Sequence, residues 1–142
     1  MNHALDEVRE WLQKGRNDLL SAQILIEHDP PVLDTASFHC QQAVEKARKA
    51  FLAWKAVPFE KVHGLTYLLD LCEVEEPGLA SLRDRAETLA PYAVEIRYPG
   101  VVMEVPLEEA QEALATAEAV WDFVIGLLPR ELYRSLPGES PE

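Results

Sequence analysis

Cysteine is almost missing from this chain: Cys40 and Cys72 are the only two among 142 residues. They show no CxxC spacing, and one pair is too few for the disulfide framework of a small secreted fold, so both read as buried thiols. Positive charge is also scarce. Thirteen Lys and Arg stand against 25 Asp and Glu, a net charge of −12. That balance excludes a general polyanion binder, because neutralisation of phosphates by basic side chains dominates nonspecific nucleic-acid affinity, and no general DNA binding is expected. No apolar run is long enough to span a membrane. The best candidate, Ala119 to Leu128, is interrupted by Asp122, whereas a span takes about 20 apolar residues. Near the amino terminus Asp6, Glu7 and Glu10 stand where a signal peptide would carry a basic flank and an apolar run, so the expected location is the cytoplasm. Neither a glycine-rich phosphate loop nor a zinc-ligand spacing occurs. No serine has His and Asp companions in a catalytic pattern. No metal, cofactor or catalytic residue is assigned.

What the chain does have is core-forming material. It is 48% apolar and 27% charged, far from the profile of a disordered segment. A domain of this length buries roughly 68–70% of the surface its unfolded chain exposes, so one core suffices. The charge is unevenly spread. Residues 1–64 carry 8 basic and 9 acidic side chains and residues 65–142 carry 5 and 16, which places nearly all the negative excess in the second half. The one locally basic stretch is Lys46, Arg48, Lys49, Lys55 and Lys61, with Glu60 as its only acidic neighbour between positions 46 and 61.

Hydrophobic spacing gives the architecture. Leu5, Val8, Leu12, Gly15, Leu19, Ala22 and Ile26 recur alternately at three and four residues, the signature of one helical stripe facing a partner. This long first helix ends near His28, because Asp29, Pro30 and Pro31 break it. A second long helix follows Asp34, a candidate N-cap, along Ala36, Cys40, Ala43, Ala47, Ala50 and Trp54, with Val44 and Phe51 widening the stripe. The two should form an antiparallel hairpin. Leu65, Leu68, Leu69 and Cys72 indicate a short third helix. Leu79, Leu82, Ala86, Leu89, Ala93 and Ile96 indicate a fourth, kinked at Pro91, which removes one backbone hydrogen bond. Pro106 suits the first turn of a last long helix, with Glu108 and Glu109 near its positive end and Leu107, Ala110, Leu114, Ala117, Trp121, Val124 and Leu128 as its stripe. The expected fold is therefore all-α: an up-and-down bundle of about five helices over residues 1–128, followed by a tail over 129–142.

One stretch asks for more than a solvated surface. Within Phe38-His39-Cys40-Gln41-Gln42-Ala43-Val44-Glu45-Lys46-Ala47-Arg48-Lys49-Ala50, Gln42, Glu45 and Lys49 share a face opposite the alanines. Pairs such as Glu45 with Lys49 are worth only about 0.2–0.5 kcal/mol to an isolated helix. Two adjacent glutamines, however, offer amide donors and acceptors suited to a polar ligand or a partner. His39 is expected half-buried against the first helix, and His63 at the start of the third. Glu60 and His63 have the Glu-x-x-His spacing of di-iron bundles, but only one copy exists.

The glutamine-rich segment, followed by His63-Gly64-Leu65-x-x-Leu68-Leu69 and then Arg97-Tyr98-Pro99, resembles the HEPN family of nucleotide-binding helical domains, from roughly Leu5 to Leu128. The resemblance implies a homodimeric bundle that binds a nucleotide or works beside a minimal nucleotidyltransferase, in a toxin–antitoxin type pair. The ligand-binding candidates under this resemblance are Gln41, Gln42, Lys46, Lys49, His63, Arg97 and Tyr98. Some family members are metal-independent ribonucleases that carry an arginine followed four to six residues later by histidine. The histidines here are His3, His28, His39 and His63, and none follows an arginine at that distance, which disfavours an RNA-cleaving toxin. A purely structural dimer is the third alternative.

Overall fold

The computed structural model describes residues 3–59, 65–93 and 104–136. All regular structure among them is helical. Helix α1 spans His3–Glu27, α2 Leu33–Trp54, α3 Leu65–Glu75, α4 Arg83–Glu87 and α5 Leu107–Leu127, with 3-10 turns at Pro77–Leu82, Ala90–Ala93 and Arg130–Leu132. None of these helices is long and apolar enough to cross a membrane.

The stripe of α1 faces inward as its spacing predicts: Val8, Leu12, Leu19 and Ala22 are buried, while Leu5 and Ile26 pack at its margins. Helix α2 returns antiparallel along it. Asp18 meets His39 and Lys46, and further down the hairpin Trp11 meets Lys49 and Phe59. The α2 helix begins one residue before Asp34, after Val32. Asp34 thus sits inside the first turn, where its Oδ1 accepts the Thr35 amide at 2.8 Å. Helix α5 lies against both members of the hairpin. Trp121 reaches Gly15 of α1, and Gln23 donates to Glu118 at 3.2 Å.

Helix α2 is buried over a wider arc than its alanine stripe. Ser37, Gln41, Val44, Arg48 and Phe51, spaced four, three, four and three, are all buried alongside Ala36, Cys40, Ala43, Ala47 and Ala50. The reason is its position: α2 contacts α1 on one side, α5 on another, and α3 as well. A helix with neighbours on several sides has no single wet half.

The fourth region is more segmented than a kinked helix. Hydrogen bonding runs as a 3-10 turn, five α-helical residues and a second 3-10 turn that contains Pro91. The apolar register nonetheless survives, with Leu79, Ala86 and Leu89 all buried. Proline removes a backbone donor, and short 3-10 pieces tolerate this because each closes within three residues. Arg83 ties the region to α3, donating to Asp70 at 2.6 Å, Glu73 at 2.6 Å and Glu87 at 2.9 Å.

Pro106 stands immediately ahead of α5 as its N-cap residue, and Ala110 N donates to its carbonyl at 3.0 Å. Past α5 the chain keeps packing: Leu132 and Leu136 join the core, so the first part of the tail is anchored by the two leucines that follow Pro129.

Candidate ligand-binding face

The outer surface of the α1–α2 hairpin carries a row of interlocked polar groups. Asp18, itself only 6% exposed, receives His39 Nδ1 at 2.7 Å and Lys46 Nζ at 2.5 Å. One carboxylate therefore holds an imidazole by one nitrogen and a lysine amine across the helix pair, an arrangement that fixes the ring's orientation. His39 is half-buried against α1, as the sequence predicts. One turn along, Gln42 Nε2 donates to Gln41 Oε1 at 2.6 Å and to Glu45 Oε2 at 3.3 Å. Lys49 Nζ stands 3.7 Å from Glu45 and 4.9 Å from the centre of the Trp11 ring. At part-exposed sites such a pair and such a cation–π contact contribute about 0.3–1 kcal/mol each, so Lys49 is loosely held.

The structure thus brings Gln42, Lys46 and Lys49 together on one face. Gln41 lies beneath them, 1% exposed, and reaches that face only through Gln42. His63, Arg97 and Tyr98 lie outside the described residues, as do Glu60 and Pro99. Trp11, Asp18 and Phe59 join the face without having been singled out from sequence. Trp11 lies beside the α1 stripe, next to Leu12, and an aromatic residue off the buried stripe was the available signal.

Arg48, counted from sequence in the basic stretch, is instead fully buried. Among the described residues none of its three guanidinium nitrogens has a hydrogen-bond partner, and neither has Glu73 Oε1. Burial pushes the guanidinium below its ordinary range, with Cys72 and Glu73 opposing that shift and Arg83 adding to it. The signal for its burial was present: Arg48 shares a helical stripe with Val44 and Phe51.

Both thiols are buried and free. Burial, with smaller contributions from Glu118 and Asp18, pushes Cys40 up to about 12 from an ordinary 9.0. Burial likewise carries Cys72 to about 11 although Arg48 pulls it down. Both remain protonated at pH 8, and only the thiolate attacks a disulfide reagent. Ellman's reagent at pH 8 should therefore label neither thiol at an appreciable rate in the folded protein and both after unfolding in guanidinium. Rapid labelling of the native chain would contradict the burial. In the unfolded chain the thiols lose protons near 9.0. The stability linked to them is thus complete below that pH and is lost as pH rises towards 11 and 12.

A cavity of about 540 Å³ lies between the α4 region and α5 and is bordered by Arg85, Tyr92, Glu109, Glu112 and Thr116. Burial first, then the hydrogen bond and charge of Glu109, push the Tyr92 phenol up to about 12. With two glutamates against one arginine this cavity is poorly suited to an anion. Among the described residues no group of three His, Cys, Asp or Glu side chains is placed to hold a metal ion.

Compared with known protein families, the chain matches the HEPN domain model over residues 8–131. No curated protein and no solved structure matches it.

Proposed function

This chain belongs to the HEPN family, and from that premise we propose that it is a nucleotide-binding helical module whose ligand meets the outer face of α1 and α2. The observation that supports this most is the placement of Lys46 and Lys49 on one part-exposed face of α2 with the Gln42 amide one turn before Lys46. The cations supply phosphate contacts, and the amide supplies directional donors and acceptors. Arg97 and Tyr98 belong to the same proposal on sequence grounds, the guanidinium being suited to bidentate phosphate recognition. The proposal contains no catalytic step, since the Arg-x(4–6)-His pattern of the family's ribonucleases does not occur in this sequence.

Titration calorimetry with ATP and GTP tests it. The wild type should bind at least one of them. An Arg97→Ala, Lys49→Ala double variant of unchanged helicity should bind it at least tenfold more weakly, since one hydrogen bond to a charged group is worth about 1.5–3 kcal/mol. Wild-type protein that gives no heat with either nucleotide overturns the reading in favour of a module that only docks another protein. Under the same proposal the module acts as a cytoplasmic homodimer beside a minimal nucleotidyltransferase, as in a toxin–antitoxin type pair. The acidic second half, 5 basic against 16 acidic side chains, would suit a basic partner surface.

A further inference from the structure

At the amino-terminal end of the hairpin face a cleft of about 630 Å³ opens between α1 and the chain leaving α2, lined by Glu7, Trp11, Lys49, Ala53, Val57 and Phe59. Its shape follows from how α2 ends. Ala56 adopts φ 58°, while Ala56 N donates to Ala53 O at 3.1 Å and Val57 N to Leu52 O at 2.9 Å. This is the left-handed helix stop that usually takes glycine, and an alanine there holds a conformation that L-residues avoid. The stop turns Val57, Pro58 and Phe59 back against α1, leaving the Phe59 and Trp11 ring centres 6.3 Å apart and the planes inclined at 58°. Trp11 Nε1 donates to Glu7 Oε2 at 3.2 Å, which pins the indole on its own helix.

We propose that this cleft is the base-binding subsite of the nucleotide site, taking the nucleobase against the Trp11 and Phe59 rings while Lys49 turns its amine to the phosphate. The inference rests on the nucleotide reading above and adds to it the place and means of base recognition. The cleft volume lies within the roughly 300–1,000 Å³ typical of small-molecule sites. Its two ring surfaces, both half-buried, offer the apolar planes on which any base stacks. Lys49 is the hinge of the argument. Its amine now rests over the Trp11 ring and only 3.7 Å from Glu45, two weak contacts that a phosphate readily replaces, and its departure uncovers the indole. Lys46 stands three residues before Lys49, on the same side of α2, so a nucleotide with its base at Trp11 runs its phosphates along the two lysines and away from Glu7.

Calorimetry that compares ATP with inorganic triphosphate isolates the base. The wild type should bind ATP more tightly than triphosphate by roughly 5- to 150-fold, the effect of stacking one base. Trp11→Leu should erase that advantage without weakening triphosphate binding, since it only frees the Lys49 amine, while Trp54→Phe keeps the advantage. Phe59→Ala, in the segment after α2, should reduce the advantage and serves as the readout if Trp11→Leu loses its helicity. Variants at Trp11 and Phe59 that bind ATP as the wild type does would overturn the subsite and leave the nucleotide reading standing. Wild-type protein that binds neither ATP nor GTP would remove both, and a protein that binds only GTP is compared with triphosphate in the same way.

Discussion

Arg48→Met should stabilise the folded protein by about 1 kcal/mol or more, because a buried guanidinium without hydrogen-bond partners leaves its desolvation cost of several kcal/mol unrepaid and Glu73 keeps Arg83 as its partner. The guanidinium is fully buried, and its three nitrogens lack hydrogen-bond partners among the described residues. Removing a charge from water costs several kcal/mol per ion, which attraction repays only when geometry and hydrogen bonds are good. Glu73 supplies attraction, but its Oε2 is already engaged by Arg83 at 2.6 Å, and Arg83 repels Arg48. Methionine keeps most of the unbranched stem and fills an irregular site without a charge. Arg48→Ala makes the necessary comparison, because it discards the stem's packing as well and should fall below Arg48→Met in stability. Urea unfolding reads the result as a higher midpoint at unchanged slope. A drop of more than 1 kcal/mol for Arg48→Met would show that the guanidinium is well paired in solution. A gain would show that the chain keeps a costly residue in its second helix, as proteins do where function and stability compete.

Gly15→Ala should destabilise the protein, by up to about 2 kcal/mol, although it places a better helix former in α1. A Cβ at position 15 would stand 2.7 Å from Trp121 Cζ3 and 3.3 Å from Lys46 Cβ. Relief of glycine's helix penalty returns about 1 kcal/mol, whereas overpacking a well-filled core costs about 1–3 kcal/mol. The clash wins because the obstacle is a rigid indole that is only 2% exposed, not the free end of a flexible side chain. The coupling is directly measurable. In a Trp121→Leu background the same substitution should lose its penalty, giving an interaction energy of about 1 kcal/mol or more in a double-mutant cycle. Additive effects of the two substitutions would mean that α1 and α5 are spaced more widely at this point. Glycine here is a contact residue: it lets the tryptophan of α5 lie against the backbone of α1.

What the sequence determined by itself is the set of helices and the inward side of each, because helical periodicity is a local property. The spacings from Leu5 to Ile26 and from Ala110 to Leu128 mark core stripes with no knowledge of neighbours, although Leu107, which the same spacing puts on the stripe, is exposed in the first turn of α5. Gln42, Glu45 and Lys49 share a face for the same reason. The HEPN assignment was legible too, since it rests on the order of motifs along the chain. Near Pro91 the pattern gave the register but not the hydrogen bonding, which broke into 3-10 turns. Tertiary structure alone decided three further matters. It buried Gln41, because the width of a helix's dry arc depends on how many elements surround it. It joined Asp18 to His39 and Lys46 across 21 and 28 residues, a pairing that depends on the alignment of α1 against α2. And it set Phe59 beside Trp11 through the turn at Ala56, bringing two rings 48 positions apart in the chain to the wall of one cleft, a distance over which spacing within a helix carries no information.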